Sequence, residues 1–234
     1  LGAAPSARIA GWFAASGAPY APEMCRRTPA DVKGGHLAVR RSDGRIILRD
    51  TAQTPADQMH YFTDQFRHPF FHTNNLWFDL KVLRDTLVER GGILGLPLIR
   101  NSKTVDPADS SSTPVIQLET AMGAAVEAFE GATAIEVPRS RFLPVKTTND
   151  LLLVRSDVYE VDDDGLLQMV PDQACTVSLD PRFYKKVQDF EARFPNGVPS
   201  IKDAQSLTVE GDWTFGADVV ATGEAHVEAE GSPG

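Results

Sequence analysis

The chain has 234 residues, 42% of them hydrophobic and 24% charged, enough for one large domain or for a domain with a smaller appendage. Its formal net charge of −9 and isoelectric point near 5.0 argue against a general nucleic-acid binder, which needs a basic surplus. They leave room for a small anion in a local basic pocket, because the field of a pocket is set locally.

No apolar run approaches the roughly 20 residues of a membrane span. The Ala-rich start, residues 1–22, has no basic leader before an unbroken apolar core and reads as a poor signal peptide. Cys25 and Cys175 stand far apart with no CxxC spacing, which argues against zinc and for two reduced thiols in a cytoplasmic protein. A bridge or a reactive thiol is the other reading.

In chain order, residues 34–53 predict a β-hairpin. Leu37, Val39 and Arg41 alternate with polar or small neighbours, Asp43-Gly44 is a two-residue turn signal, and Arg45 to Leu48 begin the return strand. Lys33 before Gly34-Gly35 reads as a turn at the strand start, since the diglycine lacks the spacing of a phosphate loop. Residues 54–66 predict a short helix with Thr54 as N-cap, Pro55 in its first turn, and Met59, Phe62 and Phe66 on one face. Leu76, Leu80, Leu83 and Leu87 predict a second helix that stops at Gly91. Asn74 and Asn75 then fall at its mouth, either as caps or as amides offered to a sugar hydroxyl or a base edge.

Residues 104–113 read as a polar loop, and 115–132 as a strand-to-helix passage with Met122, Ala125, Val126 and Phe129 on its apolar face. Residues 149–159 predict another helix, capped by Asn149 or Asp150. Asp162 to Asp164 form an acidic turn, read as a solvated linker. A helix is predicted within residues 181–195. Beyond it, Leu207, Val209, Trp213, Phe215, Val219, Ala221, Ala225 and Val227 are apolar at odd positions, and four of them, Val209, Phe215, Ala221 and Val227, are six apart. That spacing fits a β-helix coil, and period-2 alternation fits an antiparallel meander equally. Strands mixed with amphipathic helices define an α/β protein.

The stretch VPRSRFLPVKTTND, residues 137–150, gathers Arg139, Arg141 and Lys146 in an acidic chain. Pro138 and Pro144 stiffen it. Lys146 precedes a helix start beside Thr147, Thr148 and Asn149, a composition that suits a phosphate seat. The plainer reading pairs both arginines with carboxylates and leaves Lys146 solvated. The histidines are read as forming no metal site, and no GxSxG elbow is present.

ADVKGG at 30–35, HTNNLW at 72–77, VIQLETAMGAA at 115–125 and VPRSRFLPVKTTNDLLLVRSDVY at 137–159 together resemble the UTP–glucose-1-phosphate uridylyltransferases, the eukaryotic-type UDP-glucose pyrophosphorylase family. LTVEGDWTFG at 207–216 resembles the C-terminal β-helix of that family. The resemblance implies an α/β fold: the C-terminal half of a glycosyltransferase-A-like, Rossmann-related core over residues 1–165, then a linker helix and a short left-handed β-helix over 166–234. It implies formation of UDP-glucose and pyrophosphate from UTP and glucose 1-phosphate with Mg²⁺.

By the same resemblance Lys146 contacts the nucleotide phosphates, Asn74 the sugar, and Glu23 the sugar hydroxyls. His72 stands where many relatives have an asparagine. The Gly-rich nucleotide loop and the Asp-containing metal motif of the family are expected ahead of residue 1. The chain is therefore expected to be part of a longer enzyme, either associating with its missing N-terminal part or forming a homo-oligomer. A non-catalytic assembly module of the same fold, and a UDP-sugar pyrophosphorylase for another sugar, are the alternative readings.

Overall fold

Residues 4–28, 31, 34–51 and 54–228 are described by the computed structural model, which divides into two compact units, Pro5–Arg139 and Leu1–Ala4 with Ser140–Gly234. Lys33, read above as part of a turn, lies outside the described residues.

The N-terminal unit is built around strand β1 (Tyr20–Arg26), which pairs antiparallel with β4 (Phe70–Phe78) and parallel with β7 (Ile135–Glu136). A central strand covered on both faces buries successive residues, and Tyr20, Ala21, Pro22, Glu23, Met24 and Cys25 are all buried. Helix α1 (Ala7–Ser16) precedes it. Ser6 caps that helix by accepting from the Ile9 N–H, and Gly17 ends it in the left-handed conformation, φ 66°.

The expected hairpin is present as β2 (His36–Val39) and β3 (Ile46–Arg49), paired Leu37 to Leu48. Its turn is longer than two residues. Arg40–Arg45 form the loop, closed by Arg40 N–H to Arg45 O and Gly44 N–H to Arg40 O, with Gly44 at φ 70°. The next expected helix shrinks to a 3₁₀ turn, Ala56–Gln58, and one α turn, α2 (Met59–Phe62). Thr54 does not cap it; its hydroxyl donates to Asp50 O. Phe62 is buried, whereas Phe66 is 88% exposed and belongs to no apolar face.

The second predicted helix is α3 (Leu80–Glu89), capped by Asp79, whose Oδ1 accepts from the Lys81 and Val82 N–H groups. Leu76 belongs to β4, so Asn74 and Asn75 are strand residues and not helix caps. The helical spacing of Leu76 ran on by coincidence into a strand whose own alternation is broken by a bulge. β5 (Leu98–Thr104), which no sequence signal marked, pairs with β6 (Pro114–Thr120) in an exposed ribbon. The helix expected after β6 is a 3₁₀ segment, Met122–Glu127, that buries Ala125 and Val126 against Tyr20, Leu48 and Phe129.

In the C-terminal unit, α4 (Thr148–Arg155) leads to the β8–β9 hairpin (Tyr159–Val161, Leu167–Met169). β10 (Thr176–Leu179), α5 (Pro181–Tyr184), α6 (Val187–Arg193), β11 (Ala204–Val209) and β12 (Gly223–Val227) follow. β10, β11 and β12 pair in that order, all parallel, which overturns the antiparallel meander. Parallel neighbours need crossover connections, and α5 and α6 supply the first of them.

The odd-numbered apolar residues predicted from 207 to 227 all pack on one core with Leu152, Val158, Tyr184, Phe190 and Ile201. Asp157 ties the end of α4 to the segment before β11, accepting from Ser200 Oγ at 2.5 Å and the Ile201 N–H at 2.9 Å. Both cysteines are buried thiols, one in each unit, and the Cys25 thiol donates to Val137 O at 3.6 Å. No helix among the described residues is long and apolar enough to cross a membrane.

Candidate functional site

Two polar clusters contain the residues singled out by the sequence, one in each unit.

In the N-terminal unit the β1–β4 ladder is interrupted. Pro22 pairs with Leu76 and Met24 with His72, so Glu23 alone on β1 faces Thr73, Asn74 and Asn75 on β4. A bulge of this kind bends its strand and re-aims side chains, and bulges recur beside active sites. Asn74 takes up the excess at φ 67°, in the left-handed region, and is exposed. Few residues other than glycine enter that region, and asparagine is among those that do so most readily.

Glu23 is 1% exposed. A buried carboxylate loses several kcal/mol of hydration unless hydrogen bonds replace it. Its Oε1 accepts from Trp77 Nε1 at 2.9 Å and its Oε2 from Asn75 Nδ2 at 3.3 Å. Thr73 Oγ1 donates to Glu23 O at 2.9 Å and accepts the Asn75 N–H at 3.2 Å. The bulge is thus a closed polar network. A carboxylate has about four lone-pair directions, and these two donors take one on each oxygen.

His72 adjoins the bulge, and its Nδ1 accepts the Asn74 N–H at 2.9 Å. Burial pushes its pKa down to about 4, against a smaller upward pull from Asp50, so the ring is neutral at pH 7. Two further histidines of this unit, His36 and His68, stack at 3.8 Å between ring centroids. Burial drives His36 down to about 3, helped by His68, Arg27 and Arg49. His68 and His72 are four residues apart, a spacing that would align both on a helix. Here His68 stands in a turn against His36, and His72 lies in β4 against Gly123, so they form no metal pair.

In the C-terminal unit, Lys146 is exposed, and its ammonium makes no hydrogen bond or ion pair among the described residues. The helix behind it is closed by a capping box. Thr147 Oγ1 accepts the Asp150 N–H, and Asp150 Oδ2 accepts from the Lys146 N–H at 2.9 Å and the Thr147 N–H at 2.8 Å. This corrects the expectation of a phosphate seat on backbone amides, because a carboxylate of the same chain occupies those donors. It also reassigns the cap from Asn149 or Asp150 to Thr147. Asn149 instead accepts the Leu179 N–H at 3.1 Å and docks α4 on β10.

Both arginines of the basic stretch are engaged. Arg139 grips Asp31 through two hydrogen bonds, 2.7 and 3.1 Å, and lies over Phe71. Burial alone raises the Asp31 pKa, but bonds from Arg139 and Thr28 outweigh it and hold the group below the usual carboxylate range. Arg141 donates twice to Ala4 O. Of the three clustered cations, only Lys146 is left for a ligand.

The mixed α/β chain thus offers a bulged asparagine beside a buried glutamate in one unit, and in the other an exposed lysine just after Pro144. Residues 1–221 match the family model described as UTP--glucose-1-phosphate uridylyltransferase, and the chain belongs to that family. It is 42% identical over 214 residues to UTP--glucose-1-phosphate uridylyltransferase of Hordeum vulgare, covering 90% of this chain and 43% of the relative. It is 40% identical over 226 residues to the same enzyme of Saccharomyces cerevisiae, covering 95% and 44%.

Among solved structures it is similar to a point mutant of UDP-glucose pyrophosphorylase from Leishmania major in complex with UDP-glucose. That match has TM-score 0.85 and 45% identity, and covers 97% of this chain and 50% of the other. A UDP-glucose phosphorylase from Trypanosoma brucei superposes with TM-score 0.88 at 42% identity, over 96% and 49%. The chain spans less than half the length of the two curated relatives, and it is their C-terminal portion that it matches.

Proposed function

We propose that this chain is the sugar- and phosphate-contacting part of a uridylyltransferase that joins UTP and glucose 1-phosphate to give UDP-glucose and pyrophosphate, reversibly. The observation that carries the reading is the β4 bulge, which turns Asn74 outward beside the buried Glu23 in a member of this family. In the proposed reaction an oxygen of the sugar phosphate attacks the α-phosphorus of UTP in line, and pyrophosphate departs with the electron pair of the broken P–O bond. Two polyanions meet, so fixed positive charge near the transferring phosphorus dominates catalysis. Lys146 is the residue proposed to supply it. Asn74 is proposed to hydrogen-bond the sugar, and Glu23 to accept from sugar hydroxyls or from the groups that orient them.

Mg²⁺ belongs to the proposal through the resemblance alone. Glu23 is the only carboxylate of the bulge network and already accepts from two neutral donors. Among the described residues, one group has ligand atoms close enough for an ion: Glu210, His226 and Glu228, all exposed in the other unit. These residues do not fit the catalytic ion of a nucleotidyltransferase.

Residues 1–165 are proposed as the C-terminal half of the Rossmann-related catalytic domain, and 166–234 as a linker helix with a short left-handed β-helix. The parallel order β10-β11-β12 supports the second assignment. The proposed setting is cytoplasmic, with the rest of the family's length, or further copies, as partners.

A second reading, a non-catalytic assembly module, is favoured by the filling of the Lys146 and Thr147 amides by Asp150. A pyrophosphorolysis assay on a full-length protein that includes this chain separates the two. UDP-glucose, pyrophosphate and Mg²⁺ are expected to release UTP, and Lys146→Ala is expected to lower kcat by orders of magnitude with an unchanged circular dichroism spectrum. Equal rates for the two proteins favour the module.

A further inference from the structure

We infer that His72 is a positioning residue: its Nδ1 lone pair holds the Asn74 backbone in the left-handed conformation that presents the Asn74 side chain from the bulge. The inference rests on the function proposed above for the nature of the ligand, and on the structure for the contact itself.

A bulge residue leaves its ladder, so its N–H needs a partner elsewhere. The Asn74 N–H finds His72 Nδ1 at 2.9 Å. The ring that provides this acceptor is itself held. Its backbone N–H donates to Gly35 O at 2.7 Å. Its other edge lies against Gly123, where an added Cβ would stand 3.0 Å from Nε2 and 2.9 Å from Leu48 Cδ2. Glycine at 123 is therefore what admits the imidazole.

Because Nδ1 accepts, the proton sits on Nε2, and Nε2 is buried with no hydrogen-bond partner among the described residues. An orphaned buried donor is destabilising, and a leucine would fill the space without it. What leucine lacks is the acceptor on the opposite edge. The structure thus keeps an imidazole where packing alone favours an aliphatic group, and the return is a fixed Asn74. His72 touches the sugar-contacting candidate only through that backbone bond, which makes it a positioning residue and not a catalytic one.

The decisive measurement is on the ¹⁵N-labelled chain. A scalar coupling across the hydrogen bond between the Asn74 amide nitrogen and His72 Nδ1, with ring shifts of the Nε2–H tautomer, is expected. Absence of the coupling, or the Nδ1–H tautomer, overturns the inference whether or not any variant folds. UDP-glucose titrations then read the consequence. His72→Leu, which fills the space without an acceptor, and Asn74→Ala are each expected to weaken binding roughly tenfold. His72→Asn, whose side-chain oxygen accepts an N–H two residues on in an Asx turn, is expected to restore most of it. The double variant, His72→Leu with Asn74→Ala, is expected to be no weaker than Asn74→Ala alone. Wild-type affinity in His72→Leu overturns the inference. A wild-type chain that binds no UDP-glucose counts against the proposed function, and the coupling still decides the role of His72.

Discussion

The two units bury different things. The C-terminal unit closes on one continuous apolar core, in which Leu152, Val158, Tyr184, Phe190 and Ile201 have no exposed surface. Its buried polar residues are partnered or sit at a helix terminus: Ser156 donates to Leu153 O, Asp180 accepts from Arg182 and the Gly211 N–H, and Thr148 opens α4. The N-terminal unit has a smaller apolar cluster and buries Glu23, Arg27, His36 and Thr73. All three buried side-chain atoms without a hydrogen-bond partner among the described residues, Arg27 Nε, His36 Nε2 and His72 Nε2, belong to it. Unsatisfied buried groups cost stability and persist where another demand holds them. The difference separates a scaffold from a unit that gives up stability to keep polar groups fixed inside it.

The strongest test of the scaffold is Leu152→Ala. Removing a fully buried leucine is expected to cost about 2–5 kcal/mol, read by denaturant unfolding with hydrogen exchange to assign the loss to the C-terminal unit. A loss below about 1 kcal/mol breaks the comparison.

Acid is expected to act on the other unit. His36 and His72 have folded pKa values near 3 and 4, below the unfolded value of about 6.5. The unfolded chain therefore binds more protons between those limits. Stability is complete above about pH 6.5 and falls as pH drops toward 4, by at most about 1.4 kcal/mol per pH unit for each group. Exchange protection in β2 and β4 is expected to decline over this range before that in β10 and β11, where the only histidine of the C-terminal unit, His226, is exposed on the neighbouring strand.

Gly123→Ala is expected to cost about 1–3 kcal/mol by overpacking, with chemical-shift changes centred on His72 and Leu48. The smallest effect is expected from Thr147→Ala. Loss of the hydroxyl removes about 1 kcal/mol from α4 and leaves the Asp150 N–H without its cap, while the Asp150 carboxylate stays on the Lys146 and Thr147 backbone N–H groups; the change is measurable as faster amide exchange in the first turn.

The parts of this structure legible in sequence are those that obey a period. Alternation gave β2 and β3, and the odd-numbered apolar series from Leu207 to Val227 gave one packed face. The resemblance supplied the family, where residue chemistry alone stopped at an anion-binding loop. β1 was not legible as a strand: it is covered on both faces and carries Pro22 and Glu23, so neither alternation nor an apolar run marks it. Leu76 extends the leucine spacing of α3 by one step and so places Asn74 and Asn75 at a helix mouth, as caps or as amides offered to a ligand. Only pairing with β1 reveals that they form a bulge. The bond from Asn74 to His72 depends on that bulge, and local sequence carries no trace of it. Arg139 was resolved by distant partners, since Asp31 lies 108 residues away.

The parallel sheet of the C-terminal unit has β12 as its outer strand among the described residues. Such an edge is a row of open peptide groups that a second copy can extend. Here Glu224 and His226 project from that strand at its exposed positions, and Glu228 follows them. Glu210 comes just after the neighbouring strand, joined to β12 by its backbone N–H to Val227 O. Two copies approaching edge to edge would bring these carboxylates together, and like charges across such an approach oppose the addition of a strand.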